Sequence, residues 1–214
     1  MKPAPVSVLT RLQLGLEALY RVETRLEVEA FVIDEEQRRQ MGVARAPREQ
    51  LLVKQADDEL AMGLFVDGAV LANLERNDPA RGLDDGNFTD FCLAVEGVSH
   101  FVYVALCAAG HRSVSVLELE LQAEVDKFVC CALVQGSGHD LRRRLYRDVH
   151  FADDLDAAER DRYRTANGEA DRYAEALERR FMREDRVTDM LAELRRFYRM
   201  TLDGKLAAIT RAAG

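Results

Sequence analysis

The sequence lacks the motifs that mark the common nucleotide-binding, hydrolytic and calcium-binding proteins. It contains no G-x-G-x-x-G after a predicted strand, no G-x-x-x-x-G-K-S/T, no G-x-S-x-G and no EF-hand loop. Residues 84–87 read DDGN, but they lack the alternating oxygen ligands and the final glutamate that a calcium loop needs. These absences argue against the common classes of protein that these motifs mark, and they favour a protein that binds a partner.

Cysteine and long apolar runs are also scarce. The four cysteines lie in apolar segments, and none has the C-x-x-C spacing of a metal or redox site: Cys92, Cys107, Cys130 and Cys131. We expect reduced, packed thiols, which indicate a cytoplasmic location. No window approaches the roughly 18 apolar residues of a membrane span, and the first residues lack the core of a signal peptide. We therefore expect neither a membrane partner nor export.

An excess of basic charge is absent as well. The chain carries 30 basic and 38 acidic side chains, and its net charge is −8. A nucleic-acid-binding protein needs a basic surface that displaces several counterions from phosphates, so we expect no nucleic acid partner. Acidic residues also interleave with the arginines near the end of the chain, which predicts solvated, salt-bridged helix faces rather than a phosphate or RNA surface. These arginines are Arg142, Arg143, Arg144, Arg147, Arg179, Arg180, Arg195, Arg196 and Arg199.

The first part of the chain combines predicted helices with a hairpin. Leucines at three- and four-residue spacing predict a helix over residues 8–25. Residues 26–34 fit both a strand and a continued helix, and we favour a second short helix; residues 37–49 are predicted to form a loop. Alternating apolar residues around the polar turn 56–58 predict an antiparallel β-hairpin over about residues 50–67. Such a ribbon needs a helix or a third strand against it to be stable.

Two long helices are the strongest structural prediction. A short helix near residues 70–75 and a loop over 77–87 precede the first, which covers residues 88–109. Ser115 and Glu118 have capping-box spacing and start the second, over residues 116–134. Because the connection between them is short, we expect the two helices to be antiparallel neighbours.

The remaining sequence is predicted to be helical until a short tail. An arginine-rich helix over residues 140–147 is followed by one over 156–182, which the pair Asp156 and Glu159 caps, and by a last helix over 188–198. The Ala-rich residues after Gly204 are predicted to form a tail.

The predicted fold class is α+β and predominantly helical. A small antiparallel β-hairpin at about residues 50–67 is followed by a helical bundle, and an all-α fold is the alternative. We expect a single domain over residues 1–214, with an N-terminal α/β part over about 1–87 and the bundle over about 88–200.

One polar cluster is a candidate site. Glu96 and His100 are four residues apart on the first long helix, as are Glu120 and Glu124 on the second, so each pair projects from one helix face. Antiparallel pairing of the helices places His100 beside Glu124 and Glu96 beside Lys127, at the usual distance of about 8–10 Å between packed helix axes.

Three hypotheses fit this cluster. The favoured one is a structural network, in which an ion pair of Glu96 with Lys127 and a hydrogen bond of His100 with Glu124 fix the helix register. The second is a metal site in which Glu96, His100, Glu120 and Glu124 bind a divalent transition metal such as Zn, Mn or Fe. The third is general acid–base catalysis by His100, oriented by a carboxylate.

The other histidines and the cysteines carry weaker signals. His111, His139 and His150 lie in predicted turns and loops, where surface exposure is the usual reason for a histidine. The helix pairing places Cys92 beside Cys131, and buried, inert thiols are the favoured interpretation.

The preferred function is that of a cytoplasmic, non-catalytic binding or regulatory module that acts through protein–protein contacts. Its partner would be another protein or a second copy of the chain. The alternative is a metal-dependent enzyme, a hydrolase or an oxidoreductase, with the Glu and His site between two antiparallel helices.

Overall fold

Helices dominate the computed structural model of the protein, and a small sheet accompanies them, which confirms the predominantly helical α+β prediction. The structure describes residues 6–41, 47–56, 59–135, 139–149 and 153–213. The chain forms two compact units. The first unit comprises Met1–Ala18 and Val22–Arg112, and the second comprises Leu19–Arg21 and Ser113–Gly214. The single-domain prediction stays a prediction.

The first described helix is α1, Val8–Tyr20, whose residues up to Ala18 belong to the first unit and whose last two belong to the second. The predicted helix continues too far, because Arg21 and Arg25 adopt φ angles of 52° and 59°, which interrupt a right-handed helix. The chain after α1 is instead held by a helix side chain: Gln13 accepts at Oε1 a hydrogen bond of 2.8 Å from the N–H of Val28. A side chain therefore replaces the helical hydrogen bonding that ends at Tyr20.

Residues 26–34 contain both of the structures that the sequence allowed. A 3₁₀ turn covers Val28–Phe31, and the two-residue strand β1 follows at Val32–Ile33. The preference for a helix is therefore only partly right. Short apolar segments fit both periodicities, and packing decides between them.

The predicted loop over residues 37–49 is wrong at its start, because α2 covers Glu35–Gln40. A capping box begins this helix: the Asp34 side chain accepts from the Gln37 N–H at 2.8 Å, and the Gln37 side chain accepts from the Asp34 N–H at 2.9 Å. Residues 42–46 of the predicted loop lie outside the described residues.

The hairpin prediction is confirmed. β2, Glu49–Ala56, pairs antiparallel with β3, Glu59–Val66, and residues 57–58 of the predicted turn lie outside the described residues. β1 pairs parallel to β3, so the strand order is β1-β3-β2 and β2 lies at an edge of the three described strands. The sheet thus contains the third strand that the ribbon needs.

One long helix packs against this sheet, and a shorter helix packs against that helix. α3 covers Gly68–Arg76 and begins at Asp67, whose side chain accepts from the Ala69 N–H at 2.8 Å. α4 covers Phe88–Ala109, as predicted, and contacts α3, β2 and β3. Asn87 occupies the N-cap position of α4, but its side chain makes no capping hydrogen bond.

α4 is long and apolar enough to cross a membrane by length and composition. In the structure, however, 72% of its most apolar 18-residue window is buried. Core helices of globular proteins have this combination of features.

The second unit is helical in its described part. α5 covers Val116–Gln135, and α6, His139–Arg142, continues into a π-helical turn, Arg143–Arg147. α7, Ala157–Arg180, begins with the predicted capping box of Asp156 and Glu159. It packs between α5 and the last helix, so it is the centre of this unit.

The last two helices correct the prediction for the end of the chain. α8 covers Val187–Tyr198, close to its predicted bounds. The predicted tail is wrong, because Leu202–Ala213 form a further helix, α9. Ile209 and Ala212 of α9 are buried, so the helix is stabilised by apolar contacts on one face.

Candidate functional site

The structure places the predicted site residues in different units. Glu96 and His100 lie on α4 in the first unit, whereas Glu120 and Glu124 lie on α5 in the second. The two helices are confirmed, but their antiparallel pairing and the four-residue metal site stay predictions. Within the described residues, no group of three or more His, Cys, Asp and Glu side chains is arranged to hold a metal ion.

His100 has a neighbour in its own unit that the sequence analysis missed. Its Nδ1 lies 3.8 Å from Oε1 of Glu49, the first residue of β2, and both side chains are nearly buried. Gly97 explains how α4 approaches the strand, because an added Cβ there would lie 2.9 Å from Glu49 Oε1. A histidine beside a carboxylate is the arrangement on which general acid–base catalysis depends, so Glu49 is the carboxylate neighbour that the structure gives to His100.

Glu124 and Lys127 form an ion pair on α5, with Lys127 Nζ 2.9 Å from Glu124 Oε1. The helix pairing inferred from the sequence predicts that Lys127 lies beside Glu96, and that pairing stays a prediction because the two residues lie in different units. The backbone carbonyl of Glu124 also accepts a hydrogen bond of 3.0 Å from the Tyr146 hydroxyl. Glu124 is therefore part of the contact between α5 and the segment after α6.

A chain of four fully buried polar side chains crosses the second unit; we call it the buried polar chain. Lys205 Nζ donates to Gln122 Oε1 at 2.7 Å, and Gln122 Nε2 donates to Asp126 Oδ1 at 2.8 Å. The Tyr20 hydroxyl donates to the same carboxylate oxygen. Burial, followed by the charge and the hydrogen bond of Asp126, raises the pKa of Tyr20 well above its ordinary value.

The buried polar chain fits a structural role. Its four members are completely inaccessible to solvent, so a substrate in solution has no access to them in this conformation. It connects α9, α5 and the end of α1 through opposite charges and hydrogen bonds, which is how buried ionic groups are tolerated.

Three arginines of the group Arg142, Arg143, Arg144 and Arg147, which we call the first arginine cluster, form ion pairs. The guanidinium groups of Arg142, at the end of α6, and of Arg143 and Arg147, in the turn after it, lie within 4.0 Å of carboxylates. We call these three the α6 arginines. Arg142 is buried and lies 2.6 Å from Asp171, 3.6 Å from Glu175 and 3.5 Å from Glu178. Burial alone lowers the pKa of Arg142, but the hydrogen bond and charge of Asp171, helped by the two glutamates, raise it overall.

The second arginine cluster has a different environment. Arg195 and Arg199 donate to backbone carbonyl oxygens of Leu19 and Tyr20, at 2.8 and 3.0 Å, and so bind the end of α1. The other three arginines of this cluster line a cavity of about 610 Å³ together with Arg211 of α9, and we call the four the cavity arginines: Arg179, Arg180, Arg196 and Arg211. This cavity was missed because Arg211 lies on the helix that was predicted to be a tail.

In the part of the chain that the structure describes, His111 and the cysteines add no further metal site. His111 is exposed and has a φ of 50° after the end of α4. The side chains of His139 and His150 lie outside the described part of the chain. The four cysteines are free thiols, of which Cys107 and Cys131 are buried, and the Cys107 sulfur accepts from Arg112 at 2.8 Å.

No family model, curated protein or solved structure matches this chain.

Proposed function

We propose that this chain is a non-catalytic binding and regulatory module that acts through contacts with another protein or with a second copy of itself. The observation that supports the proposal is β2, an eight-residue strand with a strand neighbour on only one side among the described residues. Edge strands present N–H and C=O groups that pair readily with a strand of another chain.

The side chains of β2 agree with this role. α4 contacts both β2 and β3, and Glu49 at the start of β2 is buried. Further along, Val53 is 47% exposed, and Lys54 and Gln55 are exposed as well. An exposed apolar residue near the middle of an edge strand can pack against a residue of a paired strand.

The test is the mass of the purified protein in solution. A chain of 24.2 kDa that pairs through β2 gives a particle of about twice that mass in size-exclusion chromatography with light scattering. In an antiparallel pair of β2 strands with two-fold symmetry, residues near the strand centre face their own copies. Val53→Asp then brings like charges together and is expected to yield monomers.

Val53→Thr is the matched control, because threonine keeps β-branching without a charge, and it should leave the assembly intact. Because the partner could also be another protein, gentle purification from the native host forms the second arm of the test. A monomeric protein from which no host protein copurifies contradicts the proposal.

A second candidate is a metal-dependent hydrolase or oxidoreductase. The observation that favours it is the contact of His100 with Glu49, which adds an oxygen donor next to the histidine of the predicted metal site. Elemental analysis of protein purified without a histidine tag should then find about one transition metal per chain, as in a single metal centre. His100→Ala should lose the metal and the exposed His111→Ala should keep it; less than a tenth of an equivalent contradicts this candidate.

A cytoplasmic location belongs to the proposal and is supported by the four free thiols. Mass spectrometry of protein from the native host, alkylated before lysis, should find all four cysteines labelled. Disulfides among them would contradict this part of the proposal.

A further inference from the structure

Three consecutive helices end around the cavity that holds the cavity arginines. Arg179 and Arg180 lie in the last turn of α7, Arg196 in the last turn of α8 and Arg211 in the last turn of α9. All four side chains are exposed. The rest of the lining is mostly apolar, and it consists of Met200, Ala208 and Ala212, with Glu193 as the acidic residue.

The hydrogen bonds of these arginines leave most of their N–H donors available. Arg179 donates from Nη2 to the carbonyl oxygen of Ala212 at 2.6 Å, and Arg196 donates to the Glu193 carboxylate. Arg180 lies 5.0 Å from the ring of Phe181. Among the described residues, no carboxylate forms an ion pair with Arg179, Arg180 or Arg211. A guanidinium group has five N–H donors, so the cavity keeps a surplus of directed donors.

The surplus of positive charge remains after the helix ends are considered. Basic residues in a last turn often do no more than balance the helix dipole, whose C-terminal end is equivalent to about −0.5 of an elementary charge. Three such ends and the Glu193 carboxylate oppose the four guanidinium groups, which leaves the cavity with a net charge of about +1.5 elementary charges. The helix dipoles alone therefore do not explain this many arginines.

We propose that this cavity binds a small organic phosphate, with the phosphate on the cavity arginines and the organic group against Met200, Ala208 and Ala212. A phosphate monoester carries about −1.5 to −2 charges at neutral pH and three acceptor oxygens, which complements several guanidinium groups better than a single carboxylate does. A cavity of about 610 Å³ is within the range of small-molecule sites and exceeds what phosphate alone fills. This inference goes beyond the proposed function, because it concerns α7–α9 and not β2.

The test uses phenyl phosphate as the probe, because it combines a phosphate monoester with an apolar group. Isothermal titration calorimetry at constant ionic strength should give a Kd below about 1 mM. Inorganic phosphate lacks the apolar group and benzoate lacks the second charge, so both should bind at least about fivefold more weakly. Absence of phenyl phosphate binding, or equal affinity for the other two anions, overturns the proposal.

Substitutions of arginine by glutamine test whether phenyl phosphate binds in this cavity. Arg180→Gln with Arg211→Gln removes two guanidinium groups from different helices and should weaken phenyl phosphate binding at least about tenfold, as expected for lost charge-assisted hydrogen bonds. Arg183→Gln is the matched control, because Arg183 is an exposed arginine between α7 and α8 that does not line the cavity, and it should leave the affinity unchanged. Circular dichroism checks that both variants are folded.

Two further results would overturn the proposal. Unchanged affinity in the double variant would place the probe elsewhere on the protein. A peptide of glutamates that binds more tightly than phenyl phosphate, and that loses affinity in the double variant, would assign the cavity to an acidic protein segment instead of a small molecule.

Discussion

The two arginine clusters of the second unit have similar sequences but opposite environments. Arg142 of the α6 arginines lies among three carboxylates of α7, and Arg143 and Arg147 are also paired. Among the cavity arginines, only Arg196 forms an ion pair with a carboxylate of the described residues. Interleaved acidic residues in a sequence therefore do not establish that neighbouring arginines are neutralised in the fold.

Helix geometry explains the difference. Asp171, Glu175 and Glu178 follow one another at four- and three-residue spacing, so they form one stripe along α7, and this stripe faces Arg142. Arg180 lies on the opposite side of α7 from that stripe, because successive helical residues point about 100° apart. Arg179 lies one turn after Glu175, but its guanidinium donates to the carbonyl oxygen of Ala212 on α9. α7 therefore supplies the carboxylates that neutralise Arg142 and also supplies two of the cavity arginines.

The largest expected effect concerns Arg142. Arg142→Ala should lower the free energy of unfolding by about 3–5 kcal/mol, because it leaves the carboxylates of Asp171 and Glu178 without their buried counter-ion. Urea denaturation monitored by circular dichroism measures this change. The paired but exposed Arg143 is the control, and Arg143→Ala should cost less than about 1 kcal/mol. If the two variants lose equal free energy of unfolding, the burial of Arg142 does not make its ion pairs more stabilising than those of the exposed Arg143.

Removing the hydroxyl group from either of two buried tyrosines should change the free energy of unfolding less than Arg142→Ala does. The Tyr146 hydroxyl donates to the Glu124 carbonyl, whereas the buried Tyr173 hydroxyl has no hydrogen-bond partner among the described residues. Tyr146→Phe should therefore cost about 1 kcal/mol, and Tyr173→Phe should be neutral or stabilising by up to about 1 kcal/mol. Urea denaturation of both variants measures the difference. A loss for Tyr173→Phe that exceeds the loss for Tyr146→Phe would show that the Tyr173 hydroxyl has a hydrogen-bond partner and would contradict this prediction.

The same tyrosines predict a pH dependence. Burial raises the pKa of Tyr146 and of Tyr173 above the ordinary value of 10.0, so both keep their protons in the folded protein where the unfolded chain has lost them. Their contribution to stability is therefore complete below about pH 10 and is lost as the pH rises further. Absorbance at 295 nm should show these two tyrosines ionising only when the protein unfolds; ionisation before unfolding would contradict their burial.

Local patterns predicted much of the fold. The hairpin, α4, α5 and the capping box of α7 were predictable because helical and strand periodicities and capping residues are local signals. α9 was missed because Gly204 and several alanines were interpreted as a tail. Alanine is the strongest helix former, and Leu202, Leu206 and Ile209 have helical spacing, so the signal was present.

The candidate site was less predictable, because its contacts join distant parts of the chain. Spacing shows which residues share a helix face, but it does not show that Glu49 lies beside His100. Gly97 was the available signal, since glycine in the middle of a helix costs about 1 kcal/mol relative to alanine and so indicates a close approach. The buried position of Lys205 had no signal, because lysine is almost always exposed unless it is paired.

The smallest expected effect is the stability of the cavity variant. Arg180→Gln with Arg211→Gln should change the free energy of unfolding by less than about 0.5 kcal/mol, because both side chains are exposed and their mutual repulsion opposes their attraction to the helix ends. In 1 M NaCl the Debye length falls to about 3 Å, so the difference from the wild type should vanish. The loss in Arg142→Ala should persist there, because its ion pairs are largely buried. A salt-independent loss of more than about 1 kcal/mol in the double variant would show that these arginines support the fold.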